Sequence, residues 1–230
     1  MIPDALLLHI ETSTDVCSIA ISRGDQLLSN EQEGQGKRHA QLLPLMIESA
    51  RQKAAVGLKD LDAICYSKGP GSYTGLRVGL STAKGLCFGL AKPLIAVPTL
   101  LAMAQSGGEP GPLSLFIPMI DARRDEVYLA IYGPGWELIG GPEPLILSPV
   151  SLGNWLEQGY SIHLCGDGSV KARKILKTHE RLQFGAAEAN ARYMIRPGLN
   201  LFNSGQFENL AYAVPEYLKA PNYKKTLIII

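Results

Sequence analysis

The sequence predicts an α/β protein made of two similar halves. Three observations carry this. A strand at 61–67, a glycine-rich turn at 69–72 and a long helix reaching residue 91 follow one another without a break. The front half runs strand, strand, strand, helix, strand, helix, strand. The back half then repeats its landmarks: the strand at 6–10 ends in Glu11 and has a later glycine loop at 69–72, while the strand at 113–120 ends in Asp121 and has a later loop at 166–169. Identity between the halves is too low to show duplication, so the order of parts carries the argument.

Each element has a local reason. Residues 6–10 are a continuous apolar run, suited to a strand buried on both faces. Residues 11–15 turn the chain. Cys17, Ile19 and Ile21 then alternate with small polar or short residues, the period of a strand. Arg23, Gly24 and Asp25 form a hairpin turn into a third strand at 26–31. Leu43, Ile47, Ala50 and Ala54 recur at helical spacing from about residue 39 to residue 55, and Pro44 is tolerated near the first turns. Gly69, Pro70 and Gly71 end the next strand, and Ser72 or Thr74 caps the helix after it. In that helix Arg77, Ser81 and Lys84 share a polar stripe, with Leu76, Leu80, Ala83, Leu86, Cys87 and Leu90 opposite. Glycine inside a helix costs about 1 kcal/mol relative to alanine. Gly75, Gly79, Gly85 and Gly89 therefore point to close approach of another backbone, either this chain's own or a partner's. A strand at 93–97 and a short helix at 98–106 lead to a breaker cluster at 107–112, which places a domain boundary between 1–106 and 107–230. Beyond it, strands are expected at 113–120, 127–132, 136–140 and 161–165, helices at 148–158, 170–179, 186–193 and 207–213, and a loop at 196–207.

Composition narrows the function classes. The 230 residues are 46% hydrophobic, with 22 basic and 21 acidic side chains and a net charge of +1. That is not the basic surface of a stand-alone nucleic-acid binder, although a modest tRNA contact inside an assembly stays open. Cys17, Cys65, Cys87 and Cys165 make no CxxC motif, and a reduced, cytoplasmic setting is the simpler reading. The first ten residues lack the basic region of a signal peptide. No apolar run approaches the roughly 18 residues of a membrane span. The apolar tail at 227–230 is open to edge pairing, a neighbour or fraying.

The chemistry-bearing residues have two readings each. The loop at 69–72 contains neither GxxxxGK[ST] nor GxGxxG. Gly71 and Ser72, with Glu11, could hold an anion at a helix N-terminus, or the loop is a tight turn that binds nothing. Glu11 and Asp121 are either a carboxylate pair across a cleft or turn and cap residues. Asp121, Arg123 and Arg124, beside Asp125 and Glu126, are either a docking surface or a solvated, self-paired cluster. Ser13, Ser72 and Ser169 lie in no G-x-S-x-G elbow. His9, His39, His163 and His179 include no pair four residues apart, so no metal-binding helix is selected. No catalytic residue is assigned.

The segments LLLHIETST, KGPGSYTGLRVGLSTAKGLCFG, PMIDARRDEVY and CGDGS, in that order, resemble the TsaB (YeaZ) family. The resemblance covers most of residues 6–170 and runs more loosely to PEYLKAPNY. It implies the fold of the ASKHA superfamily of actin, sugar kinases and Hsp70: two tandem ribonuclease-H-like domains with mixed sheets flanked by helices. It also implies a role in making threonylcarbamoyladenosine beside the tRNA anticodon, as a non-catalytic scaffold. The implied partners are the catalytic, metal-carrying paralogue TsaD in a heterodimer, the ATPase TsaE in a larger complex, tRNA through that complex, and a second copy of the chain. The isolated chain is expected to hold no cofactor, with ATP or ADP at the junction with the partner.

The implied pairing surface is a bundle of the helices at 39–55 and 75–91, with His39, Leu43, Met46, Ile47, Leu76, Gly79, Leu80 and Ala83 as its candidates. The small-residue flank would then let the helices of two chains approach closely. Glu11 departs from the family, which more often has aspartate there. The alternative function on the same fold is an ATP-dependent phosphotransferase, which needs a phosphate-gripping loop and a carboxylate in an open cleft. A metallopeptidase is disfavoured by the histidine spacing.

Overall fold

A computed structural model of the chain describes residues 4–34, 38–185 and 189–219. The first sheet holds β1 (Leu6–Glu11), β2 (Cys17–Arg23), β3 (Gln26–Glu33), β4 (Ala63–Gly69) and β5 (Leu94–Pro98), in the order β3-β2-β1-β4-β5. β1 pairs antiparallel with β2 and parallel with β4. It is central, and all six of its residues are buried, as its unbroken apolar run requires.

The period-2 alternation of the strands sorts their side chains onto two faces. Leu6, Leu8, Ile10, Ile19, Ile21, Ile64 and Tyr66 pack against α1 (His39–Ala54) and α2 (Tyr73–Leu90). Leu7, Ala20, Ala63, Cys65, Ile95 and Val97 pack on the other side, against Ala102 of α3 (Thr99–Ala104), Ala191 and Met194, with Leu199, Leu201 and Phe202 of α6 (Ile195–Asn203) beside them. Each large apolar side chain so buried stabilises the fold by about 1.5–3 kcal/mol before entropy is counted.

The second sheet repeats the first. It contains β6 (Ser114–Asp121), β7 (Glu126–Tyr132), β8 (Leu138–Ile146), β9 (Ser161–Cys165) and β10 (Leu182–Phe184), in the order β10-β9-β6-β7-β8. Counted from its own first strand, this is the same topology, with two antiparallel neighbours on one side and two parallel on the other. The chain is therefore two tandem ribonuclease-H-like halves. α4 (Gly153–Glu157) and α5 (Gly168–Ile175) belong to the outer side of this sheet. α3 is shared: Ala102 faces the first sheet, while Leu100, Met103 and Ala104 pack with Phe116, Ala130 and Tyr132 of the second.

The chain does not stay in the second half. Residues 189–219 return to the first sheet, where α6 covers β1 and β5 and Glu208 bridges to Leu94. The boundary near 106 separates the two sheets, but the first sheet takes its second covering layer from the end of the chain. The loop expected at 196–207 is instead mostly α6. Its Pro197 sits in the first turn, where a missing N–H leaves no bond unmade. Gly198 lies where a Cβ would be 3.0 Å from Cys65 Sγ and 3.1 Å from His9 Cε1, so it serves close helix-to-sheet packing. The expected helix at 186–193 falls partly outside the described residues, and within them 191–194 form a 3₁₀ turn. The tail at 227–230 also lies outside them.

Candidate functional site

β4 ends at Gly69 with φ +119°, a conformation that favours glycine. Ser72 caps α2, its Oγ accepting from the Gly75 N–H at 3.3 Å. The Ser72 N–H, one donor an anion would need, instead donates to the Ser13 carbonyl at 2.6 Å. The loop and α2 lie directly on the turn after β1. A Cβ at Gly71 would stand 2.4 Å from the Ser13 carbonyl oxygen, one at Gly75 2.1 Å from the Thr12 carbonyl oxygen, and one at Gly79 2.2 Å from Thr12 Oγ1. The backbone that approaches this glycine flank is the chain's own.

Glu11 closes the same corner. It is 1% exposed, and its Oε1 accepts from the Ser13 N–H at 2.6 Å. Burial raises its pKa, and hydrogen bonds from Ser13, Ser67 and Thr12 oppose that shift. A phosphotransferase would need this carboxylate in an open cleft, and here it is sealed beneath the loop. Glu11, Gly71 and Ser72 come together as sequence reasoning expected, but as a packed joint.

Asp121 occupies the matching position in the second half and is exposed. Its Oδ1 accepts from the Arg123 N–H at 2.6 Å and from Lys171 Nζ at 2.7 Å, and its own N–H donates to Asp167 at 2.9 Å. Arg123 and Arg124 both have positive φ, 73° and 50°, and both are exposed. The turn is thus self-paired at Asp121, with its two arginines outermost. Burial raises the Asp167 carboxyl, against hydrogen bonds from Asp121 and Gly168.

The histidines are dispersed. His9 Nε2 meets Ser22 Oγ at 2.9 Å, the His163 ring stacks on Phe116 at 4.5 Å, His179 Nδ1 accepts from the Arg181 N–H at 3.1 Å, and His39 opens α1. All four cysteines are free and buried, and burial pushes the Cys17 and Cys165 thiols up to about 12.

The candidate pairing residues lie mostly on the inner faces of the two helices. Leu43, Met46, Ile47, Leu76, Gly79, Leu80 and Ala83 are all buried in this chain, most of them packed onto the sheet. His39 alone among the eight is partly exposed. Apolar spacing on an amphipathic helix marks the face that meets its own core. The outward face is different. Leu45 of α1 is 69% exposed and Phe88 of α2 is 83% exposed, while among the described residues Gly85 and Gly89 have no neighbour within 4 Å of a would-be Cβ. Between the helices runs a groove of about 410 Å³, lined by Ala40, Tyr73, Thr74, Arg77, Val78, Ser81 and Thr82.

Sequence reasoning missed the strap that organises this groove. The Glu216 N–H donates to the Lys68 carbonyl at 2.7 Å, and the Glu216 carboxylate pairs with Lys68 Nζ at 3.3 Å. The Tyr217 ring lies 4.7 Å from Tyr73, and its hydroxyl accepts from Arg77 Nε at 3.1 Å. Lys219 reaches Glu126 of the second sheet at 2.5 Å. The only hint in the sequence is PEYLKAPNY, which has no periodicity.

Comparison with known proteins decides the family. The family model described as "TsaD: tRNA N6-adenosine threonylcarbamoyltransferase" matches residues 26–142, half of the chain. The chain belongs to the TsaD family. Within it, the chain is similar to the Escherichia coli (strain K12) protein named "tRNA threonylcarbamoyladenosine biosynthesis protein TsaB", at 29% identity over 93% of this chain and 94% of the relative. A Haemophilus influenzae protein of the same name is 40% identical over 54% of this chain and 52% of its own length. The solved structure "YeaZ from Pseudomonas aeruginosa" superposes with a TM-score of 0.77 at 27% identity, covering 93% of this chain and all of that one. The sequence-based resemblance to TsaB (YeaZ) is therefore upheld. Among the described residues no helix is long and apolar enough to cross a membrane.

Proposed function

We propose that this chain is a non-catalytic subunit of the apparatus that makes threonylcarbamoyladenosine in tRNA, and that it pairs with TsaD through the outward faces of α1 and α2. The observation that carries the pairing is the exposure of Leu45 and Phe88 on two neighbouring helices, beside the bare flank of Gly85 and Gly89. Isolated exposed apolar residues are ordinary. Here Phe88 stands beside two helical glycines, Gly85 and Gly89, that no packing among the described residues explains. The absence of chemistry rests on the sealed corner: Glu11 is buried and the Ser72 N–H is already bonded to Ser13. TsaE joins the pair in a larger complex, tRNA is reached through that complex, and ATP or ADP is held at the junction with the partner. The setting is cytoplasmic, in keeping with four unpaired cysteines.

Reconstitution tests this reading. Threonylcarbamoyl transfer to tRNA is measured with this chain, TsaD and TsaE, omitting one at a time. Transfer is expected to fail with this chain alone and to fall when it is left out. Transfer, or ATP turnover, by the chain alone would overturn the proposal.

A further inference from the structure

We propose that the outer face of α5, with the residues that follow it, is a surface for the phosphodiester backbone of RNA. Residues 170–181 carry five basic side chains, Lys171, Arg173, Lys174, Lys177 and Arg181, and one acidic, Glu180. That is a net +4 in a chain whose total is +1, so the remaining residues carry −3. The near-neutral composition conceals a segregated charge.

Two of the five cations are committed within the fold. Lys171 pairs with Asp121 at 2.7 Å and donates to the Glu126 carbonyl at 3.0 Å. Arg181 is partly buried, and its guanidinium donates to the Leu156 carbonyl at 3.4 Å. Arg173, Lys174 and Lys177 are different: all three are exposed, and none makes an ion pair among the described residues.

Their placement is fixed from behind. Ala172 and Leu176 are buried against the second sheet, so the helix cannot rotate its cations inward. The Lys177 N–H donates to the Pro149 carbonyl at 3.2 Å, which holds the chain as it leaves α5. The Arg173 guanidinium lies 4.4 Å from the centre of the Phe184 ring on β10. Stacking of this kind orients the planar fork while leaving its charge and N–H donors for a ligand. Neighbouring like charges repel and weaken a helix. Such a set gains stability from a polyanion, and an oriented arginine beside two lysines suits phosphate.

The choice of RNA over an acidic protein rests on the proposed function, in which tRNA is the substrate of the complex. It also rests on position: α5 lies in the second half, away from the helices assigned to protein pairing.

The test uses the full chain and a fluorescent, unmodified tRNA transcript, with binding followed by anisotropy from 50 to 200 mM salt. Arg173→Glu/Lys174→Glu/Lys177→Glu is compared with wild type and with a control, Arg23→Glu/Lys53→Glu/Lys59→Glu, which makes the same charge change on the first half. A glutamine version of the first triple covers the case in which charge reversal disturbs folding, and thermal melting checks all variants. The slope of log K against log salt is expected to shrink by about 2–3, near 0.9 per lost phosphate contact. The Kd at 50 mM should rise at least about tenfold, with the control nearly unchanged. An unchanged slope in folded variants, equal weakening by the control, or loss of TsaD pairing with RNA binding intact would each overturn the proposal. Co-elution of wild type with TsaD is scored in parallel. Its failure would sink the scaffold reading and leave the phosphate result standing.

Discussion

Replacing Gly75 and Gly85 by alanine, one at a time, applies the same chemical change to one helix and should give opposite signs. Alanine in place of a mid-helix glycine stabilises by about 1 kcal/mol through backbone entropy. At Gly85 no described residue lies within 4 Å of the new methyl, so most of that gain should appear. At Gly75 the methyl would sit 2.1 Å from the Thr12 carbonyl oxygen and 3.3 Å from its carbon. Backbone atoms cannot rotate away as a side-chain tip can, and the same turn is held by the Ser72 N–H on the Ser13 carbonyl. Overpacking costs about 1–3 kcal/mol, and a clash this close against backbone belongs at the upper end, so after the propensity gain of about 1 a net loss of about 2 remains. For a chain of this size 1 kcal/mol moves Tm by about 2–4 °C. Gly85→Ala should therefore melt about 2–4 °C above wild type, and Gly75→Ala several degrees below it. Urea unfolding should show the same order in its midpoints at constant slope. Equal stabilisation by both substitutions would refute the packing of α2 on the turn after β1.

Two further outcomes follow from buried groups and the strap. Burial lowers the His9 pKa from 6.5 to about 3. Between those values the unfolded chain binds a proton that the native chain does not, so stability falls with acidification by about 1.4 kcal/mol per pH unit. Glu11, raised by burial, acts in the opposite sense between its unfolded and folded values, where the native state holds a proton that the unfolded chain has lost. Urea titrations at pH 7 and 4.5 should show His9→Gln losing about 2–3 kcal/mol less than wild type across that interval, and equal losses would contradict the assignment. Tyr217→Ala removes a ring packed at 4.7 Å against Tyr73, its plane tilted by 32°, and the acceptor of the Arg77 hydrogen bond. It should cost about 1–2 kcal/mol and speed hydrogen exchange in the first turns of α2; unchanged exchange there would show that the strap does not hold that helix end.

Much of the fold was legible because β1 and its neighbours announce themselves by continuous apolar runs, and because Glu11 and Asp121, each followed later by a glycine loop, mark equivalent points of two equivalent sheets. α6 was hidden by Pro197 and Gly198, which look like breakers until their tertiary roles are seen: one fills an N-terminal position that needs no N–H, the other lets the helix rest on Cys65 and His9. The strap from Glu208 to Lys219 has no period to detect, since the contacts that hold it, from Leu94, Arg77, Lys84 and Glu126, come from residues distant in sequence. The candidate pairing residues are a different case. Periodicity finds the face of a helix that meets its own sheet, so it returned Leu43, Ile47, Leu80 and Ala83. Leu45 and Phe88, which break that period, were the ones left outside.

The central claim is that α1 and α2 meet TsaD with their outward faces, and titration calorimetry of TsaD into the folded chain and into Leu45→Glu/Phe88→Glu tests it most directly. Wild type should bind with a measurable Kd, and the double variant, unchanged in its melting, should lose at least about a hundredfold in affinity through two desolvated charges. Equal binding of both would contradict the account and move the pairing surface elsewhere on the molecule.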